Sequence, residues 1–153
     1  SRCGAIHSLR LERLLTQIRT ERGSGKVHAV IEARDQRPVT ELLPLFGLSS
    51  QQPALLRVSE SLALQIARSI LHKDIAYHTE IMPLARAGEL ARKFLASFQS
   101  PPVDCFSNGS FTHHDDGSVT LSSWNPLTKA TFDTGIIVVD AGHVGCLWVE
   151  DED

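Results

Sequence analysis

The chain has 153 residues, 42% hydrophobic and 22% charged, with a formal net charge of −3, the balance of an ordinary soluble globular protein. A single domain of this length buries enough surface for an unaided core, and no apolar run approaches the roughly 20 residues of a membrane helix. The net figure conceals a division: residues 1–103 carry fourteen Lys or Arg against nine Asp or Glu, whereas residues 104–153 carry Lys129 alone against nine acids.

The N-terminus lacks the basic, apolar and small-residue order of a secretory signal, and Ser1 in place of Met suggests a processed or engineered start. From Leu9 to Arg22, Leu11, Leu14, Leu15 and Ile18 recur at helical spacing, with Ser8 as N-cap and Gly23-Ser24-Gly25 as the stop. Lys26 to Arg34 is readable as a strand or as a short helix. Pro38 opens a short helix through Leu42 and Leu43 that Pro44 or Gly47 ends, and Ser49 to Pro53 reads as a polar loop. Leu55 to Val58 reads as a short strand. Ser59 or Ser61 then caps a helix carrying Leu62, Ile66, Ile70 and Leu71. A break spans His72 to Thr79. The clearest helix follows, with Pro83 in its first turn and Leu84, Ala87, Ala91, Phe94, Leu95 and Phe98 spaced by three and four. Ser100-Pro101-Pro102 ends it, because two prolines cannot continue the hydrogen-bond ladder.

Beyond Pro102 β-branched and aromatic residues replace Leu and Ala. Val103 to Ser107, an Asn108-Gly109 turn, Ser110 to His113, an Asp115-Asp116-Gly117 turn and Ser118 to Trp124 read as a meander. The sequon Asn108-Gly109-Ser110 is read as a type I′ turn rather than a glycosylation site. Thr131 to Val139 and Val144 to Val149 flank Asp140-Ala141-Gly142-His143, the best hairpin in the chain. Ile136, Ile137, Val138 and Val139 are apolar on both faces, which predicts a central strand covered by helices on one side. The expected fold is α+β, N-terminal helices on a C-terminal antiparallel sheet. It forms one domain over 1–153, with a basic helical half (1–102) and an acidic β half (103–153).

No catalytic or cofactor motif is specific, so no catalytic residue, cofactor or metal ligand is assigned. Gly23-Ser24-Gly25-Lys26 fails as a phosphate loop: Thr20 stands where the first Gly belongs and Val27 where Ser or Thr belongs. His78-Thr79-Glu80 has the H-x-E spacing of zinc deaminases, but Cys105 is the only thiol near the expected Pro-Cys-x-x-Cys. His113-His114-Asp115-Asp116 is the densest set of metal-ligand types, yet neighbours on a strand point to opposite faces and Asp116-Gly117 already fits a turn. Cys3, Cys105 and Cys146 are an odd number at wide spacing, which points to the reducing cytoplasm and to inert thiols rather than a nucleophile. Nucleic acid is disfavoured, because Glu12 and Glu21 interrupt the arginines of the first helix and the sheet half is acidic.

The acidic half is the more informative one. Glu150-Asp151-Glu152-Asp153 follows Leu147-Trp148-Val149 directly, and Asp115, Asp116, Asp133 and Asp140 add charge at turns and strand ends. With Trp124 and Trp148 these ten residues form the expected partner-binding face, suited to a basic protein through buried aromatic anchors and complementary charge. In size and sign the chain resembles the small acidic antitoxin and immunity proteins with which bacteria mask basic nuclease toxins. That resemblance implies steric and electrostatic occlusion without catalysis. The alternatives are a metal-assisted hydrolase centred on His113, His114, Asp115 and Asp116, and a scaffold that self-associates basic half to acidic half. No membrane contact is expected.

Overall fold

The computed structural model describes the backbone of residues 2–49 and 55–153, with side chains from residue 9 onward within those ranges. The fold is α+β: the described residues form four helices and seven strands, five of which make one antiparallel sheet. Helix α1 (Arg2–Glu21) leads into β1 (Lys26–Ala33), so the ambiguous segment is a strand. The helix begins well before Ser8, which therefore lies inside it and is not the N-cap. Gly25 makes the reversal at φ 67, and a Cβ there would collide with Asp151 and the Glu150 carbonyl. Only glycine combines that left-handed backbone with so close an approach.

A short helix, α2 (Val39–Leu42), continues as a 3₁₀ turn over Leu43–Phe46 and stops at Gly47 in the left-handed region. The expected polar loop after Ser49 lies outside the described residues, as does the Cys3 side chain. Strand β2 (Leu56–Val58) precedes α3 (Glu60–His72), whose Ser59 cap accepts the Leu62 N–H at 3.0 Å. Helix α4 (Leu84–Ala96) follows, entered through Pro83.

The remaining strands are β3 (Asp104–Ser107), β4 (Gly109–His113), β5 (Val119–Trp124), β6 (Phe132–Val139) and β7 (His143–Asp151). The main sheet runs β1-β7-β6-β3-β2, so the helical half of the chain supplies both edge strands. The expected meander is corrected here. Strand β3 pairs with β2 and β6, while β4 and β5 pair only with each other. The cause is Asn108, which is fully buried and not at a hairpin tip. Its amide donates to the carbonyls of Asn125 and Asp133, both at 3.0 Å, and its Oδ1 accepts from Thr134 Oγ1 at 2.7 Å. These bonds lock the chain as it leaves the sheet, and burial closes the amide to glycosylation.

Alternation along the central strands builds two cores. Ile136, Val138, Leu147 and Val149 face α1, α3 and α4; Ile137, Val139, Cys146 and Trp148 face Leu42, Leu43, Phe46 and Leu127. The β6–β7 pair is thus buried on both faces, with the 39–48 segment as a third layer. Among the described residues no helix is long and apolar enough to cross a membrane.

Candidate functional site

Of the ten acidic and aromatic residues expected on a partner face, Asp133, Asp140, Trp148 and Asp151 are buried, and no partner reaches them in this fold. Their polar groups have internal work instead. Asp133 accepts Trp148 Nε1–H at 3.1 Å, the Leu127 N–H at 3.0 Å and the Thr128 hydroxyl at 3.0 Å. It thereby staples the segment before β6 over the Trp148 face. Asp140 caps the β6–β7 turn by accepting the N–H groups of Gly142 (2.9 Å) and His143 (2.7 Å), and it also takes that of Ser100. Burial pushes its carboxyl up, but those donors and the nearby His143 outweigh burial and hold it below the usual carboxylate range.

Asp151 receives both terminal nitrogens of Arg22, at 3.0 and 2.8 Å, and both side chains are buried. Arg22 also donates Nε–H to the Ile70 carbonyl at 2.6 Å and Nη1–H to that of Ser24 at 2.5 Å. The chain-level charge division is therefore weaker on the surface. Three C-terminal acids are inside, and one is neutralised by an arginine from the opposite half. Each is inside for its own reason: Asp133 lies under the Trp148 face, Asp140 is taken up by the backbone of the β6–β7 turn, and Asp151 meets Arg22 on the helix side of the sheet.

The other six remain at least partly exposed but do not share one sheet face. Trp124 is half-buried against the Phe132 ring, with centroids 5.4 Å apart. Glu150 lies 2.6 Å from His28 Nε2 and 3.9 Å from the Lys26 ammonium. Glu152 accepts from the Thr131 hydroxyl at 2.5 Å. Asp115 and Asp116 sit at the β4–β5 turn, where Asp116 accepts the Ser118 N–H and hydroxyl at 2.9 and 2.6 Å. Those bonds depress the Asp116 carboxyl, the hydroxyl first. His114 Nε2 meets Thr120 Oγ1 at 2.9 Å. Asp116 thus serves the turn, and among the described residues no three His, Cys, Asp or Glu side chains are grouped to hold a metal ion. Cys105 and Cys146 are buried thiols; burial pushes Cys105 up to about 11 and Cys146 higher still, so neither is a ready thiolate.

Two features that periodicity did not single out surround the break between α3 and α4. The first is a loop held at its base by Asp74. The Asp74 carboxylate accepts the N–H groups of Tyr77 (2.9 Å) and Thr79 (2.6 Å), and its own N–H donates to the Thr79 carbonyl. Burial pushes this carboxyl up, yet the two backbone donors, with Arg22 and His78, keep it low. His78 adopts φ 57, and Ile75 N–H donates to Asp151 at 2.8 Å, tying the loop to the end of β7. Tyr77 projects from this frame with 67% of its surface exposed. It borders a shallow cavity of about 460 Å³ together with Glu21 and Glu80.

The second feature is a cleft of about 520 Å³ between α3, the same loop and the β4–β5 hairpin. Arg68 Nη2 donates to the Gly117 carbonyl at 2.6 Å and Val119 N–H to Ser69 Oγ at 3.2 Å, so hydrogen bonds fasten the turn end of the hairpin to α3. His72, Lys73 and His78 stand on the helix and loop side; His114 and Asp116 stand on the hairpin side. Sequence singled out His114 and Asp116, but nothing within either segment brings them near His72. The chain matches no family model, no curated protein and no solved structure.

Proposed function

We propose that the protein is a non-catalytic binding protein that covers a basic protein partner, as a nuclease inhibitor or immunity protein does, through the Tyr77 loop and the acidic end of β7. The observation that carries this reading is Tyr77 itself, exposed on a loop whose backbone is fixed by Asp74 and by Asp151. A tyrosine presented on a preformed loop is the kind of anchor that dominates interfaces, because little conformational freedom is lost when it docks. Glu80 shares its cavity, and Glu152 and Asp153 leave the fold from the residue that holds the loop. Acids so placed steer a cationic partner and do little for affinity on their own.

The test is a titration of basic ribonucleases and deoxyribonucleases, alongside a pull-down from cell lysate. A one-to-one inhibitory complex is expected. Its association should slow steeply with salt, as the Debye length falls from about 10 Å at 0.1 M to about 3 Å at 1 M. Tyr77→Ala should weaken it by about 2 kcal/mol or more. A complex indifferent to Tyr77→Ala, or one whose association ignores salt, overturns the reading. So does the capture of no basic protein by either route.

A further inference from the structure

We propose that the cleft between α3 and the β4–β5 hairpin binds a small organic anion, an acidic head group on an apolar body. The cleft shares the loop at Asp74 with the partner surface but opens toward the hairpin, and small-molecule binding there can fail or succeed whatever becomes of the partner reading. Its volume, about 520 Å³, lies within the range of small-molecule sites. The walls divide by chemistry. Ile66, Ile70, Phe111 and Val119 supply an apolar bed, and Lys73 and His78 stand at its margin.

Lys73 is exposed at the end of α3, and among the described residues its ammonium makes no hydrogen bond or ion pair. The His78 ring likewise has neither, although its charge interacts with Asp74. Asp74 also lines the cleft, but its oxygens are held by the backbone N–H groups of Tyr77 and Thr79 and form no ion pair with Lys73. His72 Nδ1 donates to the Met82 carbonyl at 2.7 Å, so in the neutral ring Nε2 is an acceptor: His72 forms part of the wall, and the donors for an anion are left to Lys73 and His78. The opposing acid, Asp116, sits across the cleft on the hairpin with one oxygen engaged by Ser118. An anion therefore finds its cation on the helix side, with its apolar body under Phe111.

The experiment uses the full chain and named probes: phenylacetate, indole-3-acetate, octanoate and phenyl phosphate, each carboxylate paired with its primary amide. Binding is followed by amide chemical shifts and by calorimetry. At least one anion should bind at millimolar concentration or better and shift the amides of Phe111 and Val119, while its neutral counterpart binds at least tenfold more weakly. Phenyl phosphate against phenylacetate tells a phosphate head from a carboxylate. Lys73→Glu, a change at an exposed position, should cost about tenfold or more in affinity, the scale of a lost charge-assisted hydrogen bond. His78→Glu should act in the same direction and serves if the first variant does not fold. Amides that bind as tightly as acids, shifts confined to other parts of the molecule, affinity unchanged in both variants, or no binding by any probe would each overturn the proposal.

Discussion

The β6–β7 and β4–β5 hairpins are both antiparallel pairs turned by a loop containing Asp and Gly, yet they occupy opposite stations in the molecule. The first is the middle of the sheet and is buried on both faces; the second pairs with nothing else and is fastened to α3 by Arg68 and Ser69. Their turns look alike, since Asp140 and Asp116 each accept the N–H of the residue two positions on. What separates them is alternation. Strand β6 runs Ile136-Ile137-Val138-Val139 and needs cover on both sides, whereas β4 and β5 set Phe111, Val119 and Leu121 against Ser110, Thr112, Ser122 and Ser123, and need cover on one. Turn chemistry makes a hairpin. The side chains between turns decide which layer it enters.

That contrast breaks most completely at the anchors of β7. Arg22→Ala leaves Asp151 buried and uncompensated, and the expected loss in urea unfolding is about 3–5 kcal/mol. Next comes Asp133→Ala, which strands Trp148 Nε1–H and the Leu127 N–H, for about 3 kcal/mol or more at roughly 1–3 kcal/mol per unsatisfied buried group. A loss below about 1 kcal/mol in either variant would show that the carboxylates are not fixing the central hairpin. Arg68→Ala should cost less, about 1–2 kcal/mol, and act on the other hairpin. In hydrogen exchange, β4–β5 amides should lose protection in this variant while β6–β7 amides keep theirs. Equal loss in both would mean that the two hairpins open together.

Acid sharpens the comparison further. Asp140 and Asp74 have folded-state affinities for protons below the unfolded value, so their stabilisation is complete above about pH 4. It declines below that and is lost once pH has fallen through the depressed folded values. Asp140→Asn should therefore flatten the acid limb of stability against pH. The smallest effect belongs to Asp116→Asn: its carboxyl is also held low, but it is exposed and screened, so the limb should flatten far less than in Asp140→Asn. A limb steep to the same degree in Asp140→Asn as in the parent would remove Asp140 from the account.

Much of the secondary structure was readable in the chain, because it depends on near neighbours. Ser59 before an apolar stripe, Pro83 opening the next one, and Asp140 to His143 between two β-branched runs each mark their own element. The meander was misread for a reason of the same kind. Asn108-Gly109 has turn composition, and only the partners that bury Asn108 show that it locks a strand exit instead. Four residues of the expected acidic face are buried, because charge along a chain says nothing about which layer a strand occupies. The Tyr77 loop passed as a plain break, since neither hydrophobic period marks it. The one local sign was Asp74 ahead of Tyr77 and Thr79, an Asx-turn pattern.

By itself the sequence determined the α+β class, the helices over 60–72 and 84–96, the terminal hairpin and the need for β6 to be central, all consequences of spacing over a few residues. The tertiary structure alone decided which charges are inside. Arg22 and Asp151 stand 129 positions apart and form one ion pair, and the helix residue His72 joins a cleft with His114 and Asp116 of a distant hairpin. Burial and proximity of that range are set by what covers each face once the layers assemble, and no local period encodes them.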